Sequence, residues 1–228
     1  MEILKILAVI VVSYLIGSIP FGWIIVKLTT GRDVRNVESG RTGGTNVWRA
    51  AGLGAGALTA LLDVLKGASV VWIARHFIPA TIPFFHLVEI AAPLAAVLGH
   101  NYSIYLIELY SNPTRVILRG GAGGSTSLGG AIGLWWPSAL FIVPLAGLIY
   151  FFLGYASVTT MSIALSATVV FLVKAIQGGL PWEYVLYGVI AEAMLAWALR
   201  PNIRRLIAGN ERMHGFRVWL KNRKEKSP

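Results

Sequence analysis

Long apolar runs alternate along this chain with two polar, glycine-rich passages, and a strongly basic tail closes it. Residues 3–28 are long enough to cross a bilayer, which takes about 20 apolar residues in a helix. Further apolar runs at 53–77, 84–107, 138–153, 156–176 and 181–199 predict more crossing helices. A first polar loop covers 29–52 and a second covers 111–124, while Pro79 with Pro83 and Gly178 with Gly179 mark tight turns. The stretch 125–136 is apolar as well, but it is short and stops at Pro137.

Positive charge orients this pattern. The first loop region carries Lys27, Arg32, Arg35, Arg41 and Arg49, and the second carries Arg115 and Arg119. The tail adds Arg200, Arg204, Arg205, Arg212, Arg217, Lys221, Arg223, Lys224 and Lys226, whereas the opposite connections hold Arg75 and Lys174. By the positive-inside rule both loops and the tail are cytoplasmic and the N-terminus lies outside. Six crossings would return the tail to the outer side, so residues 125–136 are expected to form one more, short helix. Such a helix must be shielded by protein or border a polar cavity. The predicted fold is therefore an all-α, polytopic membrane protein of about seven transmembrane helices, one of them short. It is read as a single transmembrane domain over 1–228, with a basic cytoplasmic tail at 200–228. The first run reaches Leu28 without a small-x-small cleavage site, which predicts a retained helix in the cell's inner or plasma membrane.

Composition agrees: of 228 residues 56% are hydrophobic and 13% charged, too little polar surface for a soluble domain of this size. The net charge of +10 suits loops facing anionic lipid, and nucleic acid is not expected as a partner. Cysteine is absent, which excludes disulfides, a thiolate nucleophile and zinc–cysteine sites. His76, His86, His100 and His214 are scattered without metal-ligand spacing, and neither a metal nor a cofactor is expected.

The chemistry concentrates in the polar passages. Ser39-Gly40-Arg41-Thr42-Gly43-Gly44-Thr45-Asn46-Val47-Trp48-Arg49 combines hydroxyl donors, an amide, two guanidiniums and a glycine-rich backbone. That set can cradle an anion, phosphate above all; the plainer reading is a connecting loop whose arginines only follow membrane orientation. Arg119-Gly120-Gly121-Ala122-Gly123-Gly124-Ser125-Thr126 lacks the Gly-Lys-Ser/Thr ending of a nucleotide loop, yet its glycines feed a helix N-terminus, where anions are favoured. Asp63 and Lys66, one helical turn apart, either pair structurally or line a polar pathway. Glu89 has no obvious local partner, and a position at the outer interface is open to it, whereas His100 and Asn101 fall beside the cytoplasmic loops. Asn202, within Arg200–Leu206, is a residue that a mere surface anchor would not need.

Taken in order, these segments resemble the integral-membrane acyl-phosphate:glycerol-3-phosphate acyltransferases of bacteria, the PlsY family. The resemblance runs through Gly17-Ser18-Ile19-Pro20-Phe21-Gly22, Ser39-Gly40, Gly43, Thr45-Asn46-Val47, Arg49, Asp63 with Lys66-Gly67, and Gly99-His100-Asn101 with Ser103. It continues through the second glycine-rich loop to Arg200, Asn202-Ile203, Arg205-Leu206, Gly209 and Glu211. It implies transfer of an acyl group from acyl-phosphate to the 1-hydroxyl of glycerol 3-phosphate, giving lysophosphatidate and phosphate, with membrane lipids as surroundings. It further implies Ser39, Thr45, Asn46 and Arg49 around phosphate together with Gly40, and Lys66 neutralising charge. His100 and Asn101 would orient the reacting groups, Gly120 and Gly121 would form the second anion loop, and Asn202 would hold the acceptor phosphate. The general base is either His100 or a phosphate oxygen of the substrate.

The chain also departs from that pattern. Arg41 stands where the family has asparagine, Ala122 where it has lysine, and Leu199 where it has histidine, and the second loop is longer over 110–116. Arg119, three residues from Ala122, is the expected replacement for the missing loop charge, with Arg41 and Arg115 as alternatives. The departures leave open another donor or acceptor, or a non-catalytic lipid-binding or transport protein. A transporter would more typically show an internal repeat, and none is visible.

Overall fold

The computed structural model describes residues 1–109 and 116–213. The helices are α1 (Glu2–Ser18), α2 (Phe21–Thr30), α3 (Gly44–Ala51), α4 (Leu53–Phe77) and α5 (Phe85–Asn101), followed by α6 (Gly124–Leu134), α7 (Ala139–Leu153), α8 (Ala156–Ile176), α9 (Glu183–Ala198) and α10 (Arg200–Ile207). Among the described residues, five segments are long and apolar enough to cross a membrane: Glu2–Thr30, Leu53–Phe77, Phe85–Leu106, Trp136–Leu153 and Ala156–Ile176. Their outer faces carry exposed Leu4, Leu61, Leu140, Phe152 and Leu165, as helices bathed in lipid require.

The first apolar run is broken into α1 and α2 at Ile19-Pro20. Pro20 lacks a backbone N–H and forces the preceding residue out of helical geometry, and Ile19 is accordingly extended, with ψ 117°. The freed carbonyl of Ile19 accepts a hydrogen bond from Lys66 at 3.0 Å. The short helix expected near 125–136 is present as α6, and most of its residues are buried by protein. It lies against α4 through small residues: a Cβ on Gly67 would strike the Thr126 carbonyl, and one on Gly129 the Val64 carbonyl. Glycine at these places is what lets two membrane helices approach so closely. Around α6 the core is built from Val71, Val97, Leu134, Phe171, Tyr187 and Leu195, and Tyr187 donates its hydroxyl to the Ser127 carbonyl at 2.6 Å.

Three features differ from the sequence expectation. The first polar loop contains a helix, α3, with a polar rather than a continuous apolar composition, which hydropathy alone does not mark. The run 84–107 stops being helical at Asn101, and a 3₁₀ turn at Ile104–Leu106 leads into a strand. That strand, β1 (Ile107–Leu109), pairs antiparallel with β2 (Val116–Leu118), Glu108 opposite Ile117. Glu108 explains the pairing's place in the fold: it binds Arg35 at 3.0 Å and Arg119 at 2.7 Å, and so fastens the hairpin to the first loop. Arg35 also grips Asp33 at 2.6 Å and holds that carboxyl down at about 2. Arg115 and the tail beyond residue 213 lie outside the described residues.

Two polar clusters sit at opposite ends of the helices. One contains Glu89, whose carboxylate accepts from Arg75 at 2.6 Å and from Tyr184 at 3.0 Å and touches the His86 ring at 2.5 Å. Arg75 also donates to the carbonyls of Gly133 and Leu134, both at 2.9 Å, capping the C-terminus of α6. Glu89, which showed no obvious local partner in sequence, is thus buried at the end away from the cavity and partnered from α4, α5 and α9. The other cluster surrounds a cavity.

Candidate active site

A cavity of about 420 Å³ opens where the polar loops, the N-terminal ends of α4 and α8, and the C-terminal ends of α5, α7 and α9 come together. Ser39, Thr45, Asn46, Arg49, His100 and Asn202 line it, so the fold gathers six residues that are separated by up to 163 positions in the chain. Two helix N-termini face it at once: Gly43, Gly44 and Thr45 at the start of α3, and Gly123, Gly124 and Ser125 at the start of α6. The first N–H groups of a helix have no partner within it and carry partial positive charge. Two such ends aimed into one space suit two anions.

The other expected residues have different places. Lys66 is buried behind the wall, its ammonium 2.8 Å from Asp63 Oδ1 and 2.9 Å from His100 Nδ1. It holds His100 instead of reaching the cavity. An ammonium has only donors, so Nδ1 of His100 accepts and the ring keeps its proton on Nε2. Asp63, for which sequence left open pairing with Lys66 or lining a polar pathway, does both: it pairs with Lys66 and lines the cavity, 3.5 Å from the same Nδ1. Gly120 and Gly121 do not form a cradle in the cavity. Gly121 donates its N–H to the His100 carbonyl at 2.9 Å, and a Cβ there would collide with Nε2 of the ring. These glycines are required because the loop lies flat on the C-terminal turn of α5. Asn101 is buried beneath the same loop, next to Gly123, and away from the cavity lining.

Asn46 is a brace. Its amide donates to the carbonyls of Val34, Val37 and Arg41 at 2.9–3.2 Å, pulling the first loop into a closed turn. Gly40 sits in that turn with a φ of 66°, in the region that favours glycine. Asn202 donates to Glu211 at 2.8 Å, and Arg205 binds the other oxygen of that carboxylate at 3.2 Å. Arg212 pairs with Glu38 across the mouth. Arg49 projects from α3 into the cavity; burial pushes its guanidinium below the ordinary value, with Glu38 acting against that. Arginine stays charged regardless.

Arg119, the expected substitute for a loop lysine, is turned away onto Glu108 and does not line the cavity. The residue that sequence underrated is Arg41. It lines the cavity and donates to the carbonyls of Gly121, at 3.0 Å, and Ala198. The sign of this was present in the sequence, a guanidinium inside the glycine-rich passage, but which segments it would bridge depends on the fold.

These features define a multi-pass helical membrane protein with a buried cationic site at one end, built for anionic ligands. The chain belongs to the glycerol-3-phosphate acyltransferase family, whose model matches residues 7–209. It is 37% identical over 223 residues to glycerol-3-phosphate acyltransferase 3 of Dehalococcoides mccartyi (strain CBDB1), covering 93% of this chain and 97% of that one. It is 38% identical over 208 residues to the glycerol-3-phosphate acyltransferase of Rubrobacter xylanophilus, covering 91% and 94%. Among solved structures it is similar to PlsY (YgiH), an integral membrane glycerol 3-phosphate acyltransferase. The glycerol 3-phosphate form matches with a TM-score of 0.77 at 32% identity, covering 94% of this chain and 98% of that one. The lysophosphatidic acid form matches at 0.74 and 30%, covering 92% and 95%.

Proposed function

We propose that this protein is an acyltransferase that moves an acyl group from an acyl-phosphate to the 1-hydroxyl of glycerol 3-phosphate. The observation that carries this reading is the single cavity faced by two helix N-termini and by the guanidiniums of Arg41 and Arg49, with an apolar wall of Ala60, Ala156 and Ile163. Two anions, one of them bearing an acyl chain, fit such a space.

An acyl-phosphate is a mixed anhydride, so phosphate is already a good leaving group and no covalent enzyme intermediate is needed. A chain without cysteine suits that chemistry. The acceptor hydroxyl attacks the acyl carbon, the bond to phosphate oxygen breaks, and the hydroxyl proton ends on the departing phosphate. One ester and one hydrogen phosphate result. The enzyme's work is to hold the two anions side by side and to align the hydroxyl. With Lys66 donating to its Nδ1, His100 offers an N–H and not a lone pair. It orients, and the substrate phosphate is the base.

We read the chain as crossing seven times, with the cavity facing the cytoplasm. Successive segments contribute alternately their last and first residues to the cavity region, from Ser39 after α2 through Ala60, His100, Ser125, Tyr150, Ser157 and Leu199. That alternation supports reading α6 and α9 as crossings too, and in this reading the arginines on this side face the cytoplasm with the N-terminus outside. The protein is read as one transmembrane unit of the plasma membrane.

The test is turnover by purified protein in lipid with acyl-phosphate and labelled glycerol 3-phosphate. Lysophosphatidate should form with both present. Turnover with acyl-CoA or acyl-carrier protein alone would overturn the donor, and lipid binding without turnover would overturn the reaction.

A further inference from the structure

The charges lining the cavity are mostly matched in pairs. Glu211 takes Arg205, Glu38 takes Arg212, and Asp63 takes Lys66 from behind the wall. Arg41 is different. Among the described residues its guanidinium is held only by two carbonyl oxygens, of Gly121 in the second loop and Ala198 at the end of α9. A carbonyl orients a guanidinium without cancelling its charge. Arginine has five N–H donors, and two carbonyls leave about three for a ligand. Burial pushes this group below its ordinary value and the neighbouring Arg205 adds to that, with Glu211 acting against them. The guanidinium remains protonated at neutral pH.

Its position selects which anion. Arg41 senses Arg205 and Glu211, on the side of the cavity built from Leu199, Pro201 and Asn202 at the start of α10. Arg49 shares Glu211 with it and feels Glu38 and Arg212 more strongly, but it alone of the two also senses Tyr150, on the side of α7 and α8, where Ala156 and Ile163 line the wall. A lipidic donor belongs against the apolar helices, and a water-soluble acceptor belongs at the polar rim.

We propose that Arg41 binds the phosphate of the soluble acceptor, glycerol 3-phosphate, and that Arg49 serves the acyl-bearing anion. This rests on the acyltransferase reading above and divides its one cavity into two subsites. The bridge from Gly121 to Ala198 sets the guanidinium's angle, so that both a charge and a fork are needed. Lysine supplies the first without the second.

Calorimetric titration of glycerol 3-phosphate into the purified protein in detergent, together with steady-state kinetics, tests the division. Arg41→Gln should weaken glycerol 3-phosphate binding at least tenfold while changing the KM for acyl-phosphate by less than threefold. Arg49→Gln should show the reverse. Ala122 lines the cavity beside Gly121, so adding Ala122→Lys to Arg41→Gln should recover part of the lost affinity. Equal affinity in wild type and Arg41→Gln, or an equal rise in both KM values, would overturn the proposal and leave Arg41 as a strap between segments. Should Arg41→Gln fail to fold, the wild-type protein answers by protection from phenylglyoxal, read by mass spectrometry. Glycerol 3-phosphate, and not neutral glycerol, should protect Arg41, and absence of protection overturns the proposal. A wild-type protein that binds no glycerol 3-phosphate would instead overturn the acceptor reading itself.

Discussion

The ammonium of Lys66 lies 2.9 Å from Nδ1 of His100, although 34 residues and a helix boundary separate them. The same ammonium bonds the carbonyl of Ile19, freed by Pro20, and stands 2.8 Å from Asp63. One buried cation thus joins α1, α4 and α5 and fixes the tautomer of the histidine that lines the cavity.

Removing that cation should have two separable effects. Lys66→Met leaves the Asp63 charge buried beside a neutral ring, which costs on the order of 3–5 kcal/mol. The melting temperature in detergent should fall clearly. In Lys66→Met with Asp63→Asn most of that stability should return, since no buried charge is left uncompensated. Activity should stay at least tenfold below wild type, because nothing then holds the ring's proton on Nε2. Wild-type turnover by the double variant would mean that Lys66 does not orient His100.

Gly121 tests how closely the second loop must lie on His100. The added Cβ of Gly121→Ala meets the imidazole Nε2, so either the loop lifts or the ring turns, at roughly 1–3 kcal/mol. The expected result is a more than tenfold loss of kcat with a modest drop in melting temperature. Gly147→Ala is the control, because no atom lies within 4 Å of the new methyl group. It should leave both quantities unchanged or raise stability slightly.

At the far end, Arg75→Leu uncaps the last carbonyls of α6 and leaves Glu89, which is 2% exposed, with Tyr184 and His86 but without its guanidinium. Loss of one partner of a buried pair predicts about 3–5 kcal/mol of destabilisation. Pairing it with Glu89→Gln should restore a large part, as measured by thermal unfolding in detergent. Equal melting temperatures for Arg75→Leu and wild type would show that α6 is held by its packing on α4 alone.

The chain has no cysteine, so single cysteines can report its topology without background. Arg32→Cys and Asn210→Cys should be protected from a membrane-impermeant maleimide in intact cells, and Gln177→Cys should react. Labelling of Asn210→Cys from outside would remove the seven-crossing reading, because the odd count depends on α6 passing through the membrane.

The sequence by itself determined what local rules control. Apolar length marked the crossing segments, and the second of them, 53–77, is α4 residue for residue. Charge parity demanded the short helix that became α6, and the i,i+3 spacing of Asp63 and Lys66 predicted their contact, because one helical turn brings such residues together wherever the helix packs. Family motifs then located Ser39, Thr45, Arg49 and His100 near one site. Hydropathy did not mark α3, whose polar composition looks like a loop, or the hairpin, whose strands are three residues each.

Only the tertiary structure decided which residues meet inside the site. Arg119 and Arg41 are both arginines in or beside glycine-rich stretches, and nothing local tells them apart. One meets Glu108 on the hairpin; the other reaches the end of α9, 157 residues away, and keeps its charge for the cavity. Lys66 looked like a substrate contact until α5 brought His100 against it, and Glu89 looked unpartnered until α4 and α9 supplied Arg75 and Tyr184. The physical reason is common to all of these. A buried charge must find its partner through space, and which residues become neighbours is set by helix packing, not by spacing along the chain.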